Sequence, residues 1–282
     1  MLGSAAERDA RTTAIFITGC ASGIGRHAAD VLLAAGHTVF ATDVRLEPLR
    51  DFAAAREWPG ERAHCRGLDV RDSVAWEAVF DEATRVMGGV DVLLNVAGYL
   101  KPGYTLECDP VEVDRHFDIN TKGVVHGTRV AARHMVARGR GHIINVASLA
   151  SLAPVPGIAL YSASKYAVRA FSLAAAQELR PRGVALTVVC PDAVQTPMLD
   201  LQLHYGEAEL TFSGSRLLTP DDVVRAIVDE VLPRRPLLLA LPRSRALLAR
   251  IADLFPRTSH WIEPLLRKIG RARQRRMRGE PG

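Results

Sequence analysis

The sequence predicts an α/β fold: a doubly wound parallel sheet with helices on both faces. Three observations lead there. Short β-branched runs alternate with longer helical patterns from residue 14 onward, and a glycine-rich turn joins the first such run to the first helical pattern. The third is bulk composition, since 282 residues with 48% hydrophobic and 24% charged side chains suit one large domain with a substantial core. Strands and helices in this rhythm form right-handed βαβ units, whose strands lie parallel and covered on both faces.

The elements follow in order. Ala14 to Thr18 reads as a strand, Ile24 to Ala35 as a helix, His37 to Thr42 as a strand and Leu46 to Arg56 as a helix. A strand near Ala63 to Leu68, a helix near Val74 to Met87 and a strand at Val90 to Asn95 come next. A helical region over about Pro110 to Arg138 precedes the strand His142 to Ala147, the helix Ala159 to Arg180 and the strand Val184 to Cys190. The helix Asp221 to Leu232 and a short strand at Pro236 to Leu241 close this body, which we take as one domain over 1–242. Residues 243–282 form a basic helical extension with stretches at Ser244 to Phe255 and about Trp261 to Met277, separated by Pro256. In both, apolar residues recur at helical spacing opposite arginines, among them Leu247, Ile251, Leu254, Trp261, Leu265 and Ile269.

Charge and cysteine usage narrow the function classes. The net charge of +5 divides into +10 over 233–282 and −5 over the rest, so the basicity belongs to the tail. Cys20, Cys65, Cys108 and Cys190 lack CxxC spacing and the nine histidines include no HExxH, so no metal is expected. No apolar stretch approaches the roughly 18 residues a membrane span needs. Met1 to Thr13 has no apolar core of the secretory kind, so a cytoplasmic location is the default expectation.

The first strand runs into Thr18-Gly19-Cys20-Ala21-Ser22-Gly23-Ile24-Gly25. Glycines between a strand and a helix let the backbone approach a pyrophosphate, whose charge the helix N-terminus stabilises. Gly19, Ala21, Ser22, Gly23, Ile24 and Gly25 are therefore the candidate cradle, with Gly25 also letting the helix pack closely on the sheet. Asp43 ends the second strand about 20 residues beyond the glycines, where such folds hold the adenosine ribose. An anion there repels a 2′-phosphate and favours NAD; Arg45, two residues on, could blunt that repulsion and leaves NADP open.

Tyr161 and Lys165 stand four apart, on one face of a helix, with Ser148 thirteen residues upstream of the tyrosine. Moving a phenol from a pKa of about 10 to about 7 takes roughly 4 kcal/mol. A cation about 4 Å away supplies about 4 kcal/mol at an effective dielectric of about 20. The pair is thus a candidate acid/base at neutral pH.

Together these residues resemble the short-chain dehydrogenase/reductase family, in its shorter branch. The matching motifs are Thr18-Gly19 with Gly23 and Gly25, Asp69-Val70, Asn95-Val96-Ala97-Gly98, Asn120 in Ile119-Asn120-Thr121-Lys122-Gly123, Ser148, Tyr161 with Lys165, and Pro191 to Thr196. They cover about residues 12–242. The resemblance implies a Rossmann-like sheet of about seven strands in the order 3-2-1-4-5-6-7. It also implies interconversion of a secondary alcohol and a ketone with NAD or NADP, in which Tyr161 exchanges the proton and Ser148 hydrogen-bonds the substrate oxygen. Lys165 would bind the nicotinamide ribose and Asn120 would hold a water linking Lys165 to solvent. Asp69 and Val70 would bracket the adenine, Asn95, Ala97 and Gly98 would support the fourth strand and cofactor, and Pro191, Val194 and Thr196 would lie at the nicotinamide. Taken alone, Asn120 is a helix residue and Ser148 a strand-end cap; beside Tyr161 and Lys165 the catalytic reading prevails. A homodimer or homotetramer built on the two long helices flanking Ser148 is also implied.

Two places depart from the family pattern: Asp192 follows Pro191 where glycine is common, and Val96 follows Asn95 where a second Asn is frequent. Asp192 either contacts a polar substrate group or caps its turn. Met198 to Leu218 would be a mobile flap over the substrate. Its Met198, Leu199, Leu201, Leu203, Tyr205, Leu210 and Phe212, with Leu149, Val155 and Pro156, suggest a hydrophobic alcohol or ketone of steroid, fatty or terpenoid type. A non-catalytic dinucleotide-binding regulator on the same fold is the alternative function; the retained Tyr161 and Lys165 speak against it. The tail helices could lie on an anionic membrane, but covering the body or a partner subunit is the favoured reading. No nucleic-acid partner is expected, since no aromatic platform accompanies the tail arginines.

Overall fold

A computed structural model describes residues 12–280. The N-terminal stretch read against a secretory leader falls almost wholly outside the described residues. Seven strands form one sheet: β1 (Ala14–Thr18), β2 (Thr38–Asp43), β3 (Ala63–Gly67), β4 (Val92–Asn95), β5 (Gly141–Val146), β6 (Val184–Pro191) and β7 (Leu238–Leu241). Their order is β3-β2-β1-β4-β5-β6-β7, as the family resemblance implied, and every neighbouring pair is parallel. The chain winds outward from β1 to β3 and then from β4 to β7. The loops leaving the carboxyl ends of β1 and β4 therefore diverge and open a crevice between them.

Period-two alternation along the strands builds two cores. From β1, Ile15 and Ile17 face helices α1 (Gly23–Ala34), α2 (Leu46–Ala55) and α8 (Pro220–Ala226). Phe16, between them, faces α3 (Ser73–Met87), α5 (Gly123–Ala137) and α6 (Ala159–Leu179). There it packs on Phe40, Trp76 and Phe80 with ring centroids 5.3, 5.6 and 5.2 Å away. Each such buried aromatic contributes roughly 2–3 kcal/mol. Helices cover both faces, so the central strands read as continuous apolar runs rather than alternating ones.

Some boundaries differ from the sequence reading. The region expected to be helical over Pro110 to Arg138 is α4 (Pro110–His116) and α5 joined by a π turn at Phe117–Lys122, which carries Asn120. A second π turn at Ile227–Val231 follows α8 and leads into the short α9 (Leu232–Arg234). In the tail, α10 (Arg243–Leu254) is followed at once by α11 (Pro256–Met277). Pro256 thus opens the last helix instead of separating two, because a first-turn N–H has no intrahelical acceptor and proline, which lacks one, loses nothing there. The flap contains α7 (Pro197–Gln202) and a 3-10 turn at Gly206–Phe212, and a bridge between Val194 and Leu218 closes its base. Among the described residues no helix is long and apolar enough to cross a membrane.

Candidate active site

The crevice at the carboxyl ends of the strands is a cleft of about 590 Å³. Its cofactor end begins at the glycine turn. Gly19 has φ +75, and a Cβ there would sit 2.9 Å from the Ala97 backbone, so only glycine lets β1 and β4 leave the sheet side by side. Thr18 stitches the two ends together, its Oγ1 accepting from the N–H groups of Val96 at 3.0 Å and Ala97 at 3.1 Å. A Cβ on Gly25 would clash with the carbonyl of Gly19, which is why the helix can start directly behind the turn.

The start of α1 is left without a side-chain cap. Ser22 occupies the N-cap position but makes no cap hydrogen bond; its Oγ instead accepts from Arg45 Nη2 at 3.2 Å. By contrast Asp72 caps α3, and Thr219 with Asp222 forms a capping box on α8. The first N–H groups of α1 thus stay available beside Gly19, Ser22, Gly23 and Ile24, all of which line the cleft. That is the donor set a diphosphate requires. Ala21 and Gly25, expected in the cradle, do not line the cleft: the Ala21 N–H donates to Asp43 Oδ2 at 2.9 Å, and Gly25 lies beneath the turn.

Asp43 is buried at the end of β2, with Oδ1 accepting from the Arg45 N–H at 2.9 Å. The guanidinium of Arg45 lies 3.7 Å from the same oxygen and reaches across to Ser22. Asp69 and Val70 form the next wall; the Arg71 guanidinium 2.6 Å from Asp69 holds that carboxyl below its usual range. Ala97 and Gly98 line the cleft, but Asn95 does not. Its side chain donates to Asn145 at 2.9 Å, and Asn145 in turn bonds Thr128 and Ser172, so Asn95 belongs to a buried polar network behind the sheet. Pro191, Val194 and Thr196 line the opposite wall, with Thr196 Cγ2 against Gly23.

At the other end Ser148, Tyr161 and Lys165 converge on the cleft. Ser148 follows β5 by two residues and caps a 3-10 turn, its Oγ accepting from the Ala150 N–H at 3.1 Å. Lys165, 3% exposed, lies one helical turn beyond Tyr161 and donates from Nζ to the Val146 carbonyl at 2.9 Å. Its Nζ is 5.7 Å from the centre of the Tyr161 ring. Burial pushes the Tyr161 phenol up to about 12, against a hydrogen bond from Ser148 that favours the phenolate. Burial likewise draws the Lys165 ammonium down to about 8. The expected fall of the phenol to about 7 is therefore not what the folded chain shows. Withdrawing a phenolate from water outweighs a cation that is itself desolvated and engaged by a carbonyl.

Asn120 is fully buried and lies behind the cleft wall rather than on it. Its Nδ2 donates to the Tyr99 carbonyl and to Ser164 Oγ, each at 2.9 Å, and its Oδ1 accepts from the Tyr99 N–H at 2.7 Å. Both side-chain donor hydrogens are committed, so the amide locks α6 to the loop after β4.

Sequence reasoning missed several cleft residues. Tyr99, Leu100 and Arg115 line it, as do Arg245 and Ala249 from α10. Arg245 Nε pairs with Asp192 at 2.9 Å and its Nη2 donates to Ser213 at 3.1 Å. The unusual Asp192 therefore meets a cation supplied by the tail, a pairing that no local motif signals. Of the seven apolar flap residues, Met198, Leu199 and Leu210 line the cleft. Phe212, Leu203 and Tyr205 instead pack with Leu199 and Ala208 into the flap's own small core, and Leu201 is exposed. Pro156 is exposed as well and stands outside the lining.

The sequence pattern of the short chain dehydrogenases matches residues 13–204. The probable oxidoreductase EphD of Mycobacterium tuberculosis is 32% identical over 249 residues, covering 83% of this chain; the chain spans 42% of that relative's length. The 2,3-dihydro-2,3-dihydroxybenzoate dehydrogenase of Bacillus subtilis is 31% identical over 225 residues, covering 76% of this chain and 86% of that protein. A short chain dehydrogenase/reductase of Burkholderia phymatum, solved in complex with NAD, superposes with a TM-score of 0.77 at 25% identity, over 90% of this chain and 95% of that one. With the fold, the glycine turn and the serine, tyrosine and lysine on one cleft, the chain belongs to the short-chain dehydrogenase family.

Proposed function

We propose that the protein interconverts a secondary alcohol and a ketone, with a nicotinamide dinucleotide as the bound hydride carrier. The observation that carries this reading is the convergence of Ser148, Tyr161 and Lys165 on the same cleft as an uncapped, glycine-edged helix N-terminus. The bound dinucleotide supplies the hydride acceptor or donor; the chain's own residues handle the proton and the positioning. Tyr161 donates its proton to the substrate oxygen in reduction and receives one from the hydroxyl in oxidation, while Ser148 hydrogen-bonds that oxygen. Lys165, charged below about 8, favours the phenolate when it forms and offers donors to a ribose. With the phenol pushed up to about 12, the protein alone leaves Tyr161 protonated at neutral pH, the state that reduction uses. A water linking Lys165 to solvent beside Asn120 would accept no hydrogen bond from the Asn120 amide, whose two donors are both taken.

Asp43 supports a preference for NAD, since it is a buried carboxylate at the end of β2. Arg45 reaching to Ser22 works against it by placing a cation at the same edge. Leu149, Val155, Ile158, Met198, Leu199 and Leu210 around the reactive end favour an apolar substrate, with the Asp192–Arg245 pair as its polar border. Tyr161→Phe tests the mechanism: turnover on a panel of secondary alcohols and ketones should vanish while NADH binding stays nearly intact. Unchanged turnover in that variant sinks the assignment, and turnover confined to small hydrophilic polyols sinks the apolar substrate class.

A further inference from the structure

The two tail helices are docked the wrong way round for an ordinary amphipathic pair. Such a helix buries its apolar stripe against the core and leaves its polar face in water. Here α11 meets the flap through its polar face. Arg271 binds the Glu209 carboxylate through two contacts at 3.1 and 3.2 Å, and Gln274 Nε2 donates to the carbonyls of Gln202 at 2.9 Å and Tyr205 at 2.7 Å. Gly270 lets the helix backbone lie directly on the Glu209 carbonyl, and Arg273 donates to the carbonyls of Gly214 and Ser215.

The apolar stripe consequently points away from the body. On α11, Trp261 is 85% and Leu265 61% exposed; on α10, Leu248 is 66% and Leu254 73% exposed, with Leu247 and Ile251 beside them. Single exposed apolar residues are ordinary, but a stripe running over two successive helices marks an interaction surface. Arg250, Arg257, Lys268, Arg275 and Arg276, exposed on the same two helices, form no ion pair among the described residues. The tail over 243–282 is +8 in net charge, whereas the rest of the chain is −3.

We propose that the outer face of α10 and α11 docks on an anionic phospholipid surface. The stripe with its tryptophan would enter the boundary between headgroups and acyl chains, and the unpaired cations would meet lipid phosphates. Charge decides against a second copy: a twofold contact through this face would press two tails of +8 together. The same helices hold the flap over the cleft, so docking brings the substrate entrance near the layer in which an apolar alcohol or ketone dissolves. That last consequence rests on the proposed substrate class; the docking itself does not.

Flotation of the full-length protein with vesicles of phosphatidylcholine, alone or mixed with phosphatidylglycerol, tests this without any activity readout. Protein should rise with the anionic vesicles and stay behind with the neutral ones, and Lys268→Ala should lower the partition coefficient about fivefold. Trp261→Glu combined with Leu265→Glu should abolish flotation at an unchanged melting temperature. Should that pair unfold the tail, Lys268→Ala and Arg276→Ala decide alone. Absence of flotation, equal flotation with both vesicle types, or full flotation of the charge variants overturns the proposal. So does an oligomer that the Trp261 and Leu265 changes dissociate in sedimentation velocity while wild type ignores vesicles, because that outcome assigns the face to a second copy.

Discussion

Replacing Arg245 by alanine should expose how far the tail supports the cleft. Arg245 Nε lies 2.9 Å from an Asp192 oxygen, and its Nη2 reaches Ser213 of the flap at 3.1 Å. The Asp192 side chain is 12% exposed and that of Arg245 29%. At an effective dielectric of about 20, a pair of unit charges about 4 Å apart attracts by roughly 4 kcal/mol. Both ions lose hydration on folding and Arg245 keeps nearly a third of its exposure, so we take about half of that attraction. Losing the Ser213 hydrogen bond adds about 1 kcal/mol. Arg245→Ala should therefore destabilise the protein by about 3 kcal/mol at neutral pH, mostly by stranding a buried carboxylate. Urea unfolding followed by circular dichroism measures this, and the melting temperature should fall by roughly 5 °C. Burial already raises the Asp192 pKa and Arg245 opposes it, so removing Arg245 raises it further. A carboxyl whose folded pKa lies above its unfolded value destabilises the fold above the folded value and ceases to do so below the unfolded one. The deficit of Arg245→Ala should thus shrink as pH falls from about 7 toward about 4. Adding Asp192→Asn should recover most of it at neutral pH. A deficit that does not change with pH, or a double variant as weak as Arg245→Ala alone, would refute the stranded-charge argument.

Two further predictions concern the cofactor end and the proton. Asp43→Ser removes a buried anion at the end of β2, and relieving roughly 1.4–2.8 kcal/mol of repulsion toward a 2′-phosphate should lower the NAD-over-NADP ratio of kcat/KM about tenfold to a hundredfold; an unmoved ratio would assign cofactor choice elsewhere. Because the Tyr161 phenol is pushed up to about 12, its neutral form persists through neutrality. Alcohol oxidation should therefore climb between about pH 6 and about pH 8 while ketone reduction stays level, and an oxidation rate flat over that span would contradict the titration assigned to Tyr161.

Much of the fold was readable because its signals are local. Short continuous apolar runs such as Ala14–Thr18 specify strands, and glycines that accept a positive φ without strain mark the turn into α1. The π turn at Phe117–Lys122 was not readable, because nothing in its composition separates it from the helices on either side. Within the cleft, Ser148, Tyr161 and Lys165 were found through spacing, and Asp43 through its position after the glycines. Ala21, Gly25, Asn95 and Asn120 were expected at the site and instead lie outside the cleft lining, since spacing along a chain does not say which way a side chain is turned.

The amino-acid sequence by itself determined the strand and helix succession, the glycine turn and the one-turn separation of Tyr161 and Lys165, all of which act within a few residues. Tertiary structure alone decided the rest. It set the proton affinities, because desolvation depends on every atom packed around Tyr161 and Lys165. It brought Arg245 to Asp192, 53 positions apart in the chain, and turned the polar face of α11 inward. Those outcomes follow from which surfaces meet when the chain closes on itself, and no pattern shorter than the whole chain encodes that meeting.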